Sequence, residues 1–342
     1  MTSSHARTHG LTALAVVLLA VPLAAATGNV RILQTNSAGD NVHVIDPVTN
    51  KVVGTINGIE VGHGVTAAPD GSRIYVSNEA DHTLDVADGK TLKVIKKIPL
   101  SGRPNNIAIG KDGRRVYVSI NVAPGAVDVI DTASQTRVKS VPTQGAVHNT
   151  YVTPDGKYVV AGSIAGSTVN VIDAKTEETA WVHKFDLGVR PMAFSQNPDG
   201  STKWIFAQLS ELNGFAVLDF ATRKEVNRVK LPALTAGRSE VKVGGNASHG
   251  VAVTADQKTL IVNSRLNSAV YKYSLPDLKL VAQTEINGID PNWVTLTPDG
   301  KTAYVAIAGS DWVAAIDIAS MKQVAKIPVG YVPKRNATAI LP

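Results

Sequence analysis

A short turn that recurs along the chain constrains its fold more than any other feature. It reads Ala68-Pro69-Asp70-Gly71, Gly110-Lys111-Asp112-Gly113, Thr153-Pro154-Asp155-Gly156, Asn197-Pro198-Asp199-Gly200, Thr254-Ala255-Asp256-Gln257 and Thr297-Pro298-Asp299-Gly300. In the full form Pro presets φ, Asp caps the bend and Gly takes the positive φ. A β-rich run follows each copy, as in Ile74-Tyr75-Val76-Ser77-Asn78 and Ala303-Tyr304-Val305-Ala306. A third run ends in Asp (Asp46, Asp131, Asp173, Asp219, Asp317), and a fourth follows, as in Lys93 to Ile98. Each unit therefore holds four short strands, A to D.

The position seven residues before the turn Asp falls at 63, 105, 148, 249 and 292; the remaining copy, which has one extra residue, aligns at 191. The steps are 42 or 43 residues, apart from one of 58. A four-stranded antiparallel unit of this length is a propeller blade. The first strand run, Val30 to Asn36, reads as strand B. The last, Arg335 to Leu341, reads as a lone strand A. The two ends complete one blade, which predicts an all-β, seven-bladed β-propeller closed by its C-terminal strand. The recurring Asp at the end of strand C is expected to hydrogen-bond from blade to blade.

The beginning of the chain differs in kind. A polar stretch with Arg7 precedes an apolar run, Leu11 to Ala20, and a small-residue ending at Ala24 to Ala26. That pattern is a secretory signal peptide, residues 1–26, which leaves 27–342 as a single propeller domain, periplasmic or secreted. No later segment is long and apolar enough for a helical span. Cysteine is absent, which excludes disulfides, thiolate nucleophiles, Cys-ligated metal clusters and covalently attached c-type haem. The net charge of +6 permits an anionic partner without requiring one.

The Tyr-Val-Ser-Asn and Pro-Asp-Gly-x-x-x-Tyr-Val patterns, seen best in Pro69 to Asn78 and Pro298 to Val305, resemble the YVTN-type propeller repeat. With the export signal, the chain resembles the bacterial YncE-like exported propellers. The resemblance implies the fold over nearly the whole mature chain. Single-stranded DNA binding is attributed to some members, and lactonases and lyases share the architecture, so fold alone does not decide function.

In a propeller strand A lines the central channel, and the Pro-Asp-Gly turns lie on one face. The D–A and B–C connections lie on the other, here called the top. The residue opening each strand A thus stands at the channel mouth. Read round the ring, this position gives His63, Asn105, His148, Pro191 or Met192, His249, Asn292 and Lys334. Arg103, Arg190 and Arg335 flank it. Three histidines of the mature chain's six share this one place.

Three readings stay open for these groups: a hydrated channel lining, an anionic ligand site, and a metal site. Imidazole suits Zn, Cu or Fe, so His63, His148 and His249 are the candidate ligands. Asn105, Asn292, Arg103, Arg190, Lys334 and Arg335 are the candidate ligand-binding residues. The insert Ala233 to Ser248 in the long step, with Arg238, Glu240 and Lys242, belongs on the same face. So do the loop residues Glu79, Asp81, Glu211, Arg265 and Asp311.

The resulting expectation is a monomeric, non-catalytic binding or scaffold propeller for a small anionic ligand or a protein partner. The alternative is a metal-dependent, lactonase- or lyase-like enzyme. The separating observation is a carboxylate within hydrogen-bonding reach of the histidines. A third reading is single-stranded nucleic acid binding. It requires a continuous basic stripe with stacking aromatics, whereas the basic residues here are scattered.

Overall fold

Burial along the strands dictates how the sheets must stack. Strands B and C are shielded on both faces, with Ile74, Val76, Leu84 and Val86 fully buried. Strand D is mostly exposed, as in Val94–Pro99. A sheet with two buried faces and one wet edge needs a neighbour on either side, so the units pack radially. The computed structural model describes residue 1 and residues 29–234, 239–242 and 244–342. The expected export segment, from residue 2 to 26, lies outside the described residues.

Seven four-stranded antiparallel sheets form the ring, each in the order A-B-C-D. The C-terminal strand Pro333–Leu341 pairs with Asn29–Asn36, from Asn29 opposite Leu341 to Asn36 opposite Pro333. It therefore supplies strand A of blade 1, as the orphan ends predict. Apolar clusters sit between blades rather than within them. Leu33, Val42 and Ile56 of blade 1 meet Ile74 and Val76 of blade 2. On the other side, Ile32 and Ile45 meet Tyr304 and Val313 of blade 7. Among the described residues no helix is long and apolar enough to cross a membrane.

One irregularity recurs in every blade and shapes the channel mouth. The A–B ladder shifts register near the top of strand A, for example between Gly62 and Val65 and between Ser248 and Val251. A bulge there frees the opening residues of strand A from the ladder and re-aims their side chains. Below it, buried polar groups on strand B tie neighbouring strands A together. The Thr35 hydroxyl donates to the His63 carbonyl at 2.9 Å, and Gln208 donates to the Gly250 carbonyl at 3.3 Å.

The Asp residues at the ends of strands C do not bridge blades, contrary to the sequence expectation. Each caps its own C–D turn. Asp131 accepts from the Ser134 backbone N–H at 2.7 Å, Asp219 from Thr222 and Asp317 from Ser320, both at 2.8 Å. An Asp carboxylate reaches a backbone N–H two or three residues on more readily than a neighbouring sheet.

Candidate functional site at the channel mouth

Register decides which residue stands at the mouth. Val189 pairs with Leu209 and Met192 with Ala207, so the bulge of blade 5 holds Arg190 and Pro191. Arg190 therefore takes the position given above to Pro191 or Met192. The extra residue of this blade lies below the bulge, where another register shift falls between Phe194 and Gln196. Round the ring the mouth reads Lys334, His63, Asn105, His148, Arg190, His249 and Asn292, polar in every blade.

The imidazoles are held in different ways. His63 Nδ1 lies 2.6 Å from Glu79 Oε1, and both side chains are 15% exposed. Asn105 donates to the same carboxylate oxygen at 3.3 Å. His249 Nδ1 donates to the Asn292 carbonyl at 2.6 Å, and His148 Nδ1 bonds Asn149 Oδ1. The rings of His148 and His249 meet edge to face, centroids 6.0 Å apart, and Trp293 stands 5.6 Å from His249.

Burial keeps all three imidazoles neutral. His63 is pushed down to about 4, against the pull of Glu79. His148 and His249 are pushed well below the ordinary histidine value, with the Arg335 charge adding to burial. Burial pushes Glu79 up, but the His63 bond and the charges of Arg103 and Arg335 outweigh it and hold the carboxyl low. Nδ1 of His63 faces a carboxylate and that of His249 a carbonyl, so each carries the proton. Nε2 is then the atom left with a lone pair.

A three-histidine metal centre does not assemble. His63 is engaged with Glu79, while His148 and His249 pack on each other. Among the described residues no group of three or more His, Cys, Asp or Glu is placed to hold a metal ion. A carboxylate does lie within reach of the histidines, as the enzyme alternative requires. It is spent orienting His63 and Asn105 rather than free as a base.

The flanking residues separate into rim and interior. Arg103 is exposed and reaches the Asn121 carbonyl at 3.5 Å. Arg190 donates to Ser210 Oγ at 3.0 Å, and burial lowers its pKa. Lys334 is likewise lowered by burial. Asn292 donates to Asp290, which Arg265 grips through Nε and through Nη2 at 2.8 Å. Asp81 turns outward to Lys97 at 2.5 Å, and Asp311 accepts from the Val332 N–H at 2.8 Å.

Arg335 is not a rim residue. It is 1% exposed, stacks over Trp293 at 4.0 Å and donates to Asn105 Oδ1 at 2.7 Å. Described parts of the insert do lie on the top face, where Val241 donates to the Leu266 carbonyl and Gly245 accepts from the Glu211 N–H. Arg238 lies outside the described residues.

Tyr151 is the residue that sequence reasoning missed. It sits on strand A just below the bulge of blade 4, where the other blades carry only Thr66, Ala108, Ala193, Ala252, Thr295 and Ala337. One large side chain among six small ones was a signal in plain view. Its hydroxyl accepts from Asn149 Nδ2 at 3.2 Å and from the Met192 N–H at 3.1 Å, and burial pushes its pKa up to about 12.

Residues 111–342 match the family described as the cytochrome D1 heme domain. The chain belongs to that family. No curated protein matches this cytochrome D1 heme domain chain. Among solved structures, hydrazine synthase of Kuenenia stuttgartiensis is 24% identical, with TM-score 0.71 over 83% of this chain and 91% of that one. The periplasmic gluconolactonase PpgL of Pseudomonas aeruginosa is 19% identical, with TM-score 0.72 over 92% of this chain and all 100% of that one. The dihydro-heme d1 dehydrogenase NirN, in complex with DHE, is 17% identical, with TM-score 0.62 over 94% and 77%. At these identities the three structures establish the propeller fold of the cytochrome D1 heme domain chain and nothing finer.

Proposed function

We propose that this chain is an exported binding propeller that takes an iron tetrapyrrole at its top mouth, with His63 as the iron-binding side chain. Export rests on the N-terminal segment, and the YVTN-type pattern from Pro69 to Asn78 agrees with it. The His63–Glu79 pair carries the reading. A ligating histidine that donates its other N–H to a carboxylate has its tautomer and ring orientation fixed. His63 meets that condition, is neutral, and keeps partial exposure at the mouth. His148 and His249 are packed against each other.

The fit extends to charge. Arg103, Arg190 and Lys334 ring the mouth and would hold the carboxylates of a tetrapyrrole. Glu79 orients His63, and Asn105 orients Glu79. The bound iron would supply an open coordination position for ligand or redox chemistry. This makes the anionic ligand of the sequence reading and its transition metal one and the same molecule.

The test is titration of purified protein with hemin, read by the Soret band. Wild type is expected to shift the band with saturable stoichiometry. His63→Ala should abolish the shift, and Glu79→Gln should weaken binding by about tenfold or more. Identical spectra for wild type and His63→Ala would overturn the assignment.

A further inference from the structure

A cavity away from the histidine mouth runs up the channel from the opposite, Pro-Asp-Gly face and measures about 620 Å³, within the range of small-ligand pockets. Its upper walls are apolar, built from Val65, Ile107, Met192, Val251 and Val294. Lys111 stands among the turn residues at its opening, and Arg335 lines its inner end. Lys111 and Arg335 are the charged side chains of the lining; no carboxylate is among them.

The inner end holds a buried guanidinium with donors to spare. Arg335 has no salt bridge among the described residues, and its Nε and Nη1 have no hydrogen-bond partner. Its one hydrogen-bond partner is the Asn105 amide, which in turn bonds Glu79, and its flat face rests on Trp293. A buried guanidinium without a direct counter-ion is costly, and buried donors are nearly always satisfied. Burial lowers it to about 10, which still leaves it charged at neutral pH. Tyr151 lines the same cavity. Its oxygen accepts two hydrogen bonds, while its own O–H has no acceptor among the described residues.

We propose that this channel is a second binding site, entered from the Pro-Asp-Gly face, for a small monocarboxylate with an apolar body. The carboxylate meets the Arg335 guanidinium and accepts the Tyr151 O–H. The apolar body lies against the collar of valines, Ile107 and Met192. Lys111 draws the anion to the opening. Arg335 and Trp293 line its inner end, and Asn105 links Arg335 to the Glu79 that holds His63 above.

The test uses benzoate as the probe, with benzyl alcohol as its neutral isostere and sulfate as an inorganic anion. Binding is read by calorimetry and by the fluorescence of Trp293, with Trp293→Phe identifying the responding residue. No hemin is present, so the outcome does not depend on the top-mouth reading. Benzoate should bind saturably, with benzyl alcohol and sulfate weaker by at least about tenfold. Tyr151→Phe should weaken benzoate severalfold without changing the fold. Lys111→Glu should weaken it further at low salt than at high salt. Arg335→Gln should abolish binding; if that variant does not fold, Tyr151→Phe and Lys111→Glu decide. The proposal fails if wild type does not bind benzoate. It also fails if benzyl alcohol or sulfate binds as well as benzoate, or if Tyr151→Phe and Lys111→Glu leave affinity unchanged.

Discussion

Leu341 is the penultimate residue of the chain, where ordinary termini fray. Here it is 4% exposed and belongs to the cluster of Leu33, Val42, Ile56, Ile74 and Val76 that joins blades 1 and 2. Its neighbour Ile340 points the other way and is 37% exposed. Truncating a buried Leu to Ala removes its transfer energy and leaves a cavity, at a cost of ~3 kcal/mol. Truncating a half-exposed Ile on a strand costs less than about 1 kcal/mol. The unfolding entropy of a chain of this length converts the first figure to a Tm drop of about 5 °C.

Leu341→Ala and Ile340→Ala are to be compared by urea unfolding and calorimetry. The expected result is a lower midpoint for Leu341→Ala at unchanged denaturant slope, and near-wild-type behaviour for Ile340→Ala. Equal and small effects for both would mean that the last strand frays and that the ring is not closed at this blade. Removing residues 333–342 takes away the whole A–B ladder of blade 1 together with Arg335 and Asn336. That deletion should abolish cooperative folding, and the missing peptide added in trans should restore it.

Acid should destabilise the ligand-free chain well before its carboxylates titrate. An unfolded histidine takes a proton near its ordinary value of 6.5, whereas folded His63 refuses it until about 4. Stability is thus full above that ordinary value and falls with pH across this window, by about 2 kcal/mol from this group between pH 7 and 5. His148 and His249 act in the same direction. The low carboxyl of Glu79 acts only at more acid pH. His63→Gln should flatten that limb in urea titrations at pH 7 and 5, and parallel limbs would refute the assignment. Gly71 turns at φ +72, and a Cβ there would lie 2.3 Å from the Ile340 carbonyl oxygen. Gly71→Ala should therefore cost several times more than Gly200→Ala, whose Cβ would meet nothing within 4 Å despite its own positive φ of +83, as measured by Tm.

The seven-bladed architecture was legible in the chain because a repeat is local. Each Pro-Asp-Gly turn, apolar alternation and Asp-ended strand sits within one unit of about 43 residues, and turn chemistry acts over two or three positions. Even closure followed from the orphan runs at the two ends. The mouth itself needed the ladder. A bulge moves one residue without marking the sequence, so Arg190 displaced Pro191 or Met192 only once Val189 and Leu209 were paired. The fates of the three histidines depended on neighbours in other blades or loops. Glu79 comes to His63 from a B–C loop, while His249 meets His148 across the ring, about a hundred residues away in sequence. The position of Arg335 was decided the same way. Nothing local distinguishes it from Lys334, and it turned inward because ring closure brings Asn105 and Trp293, from two other blades, to its guanidinium.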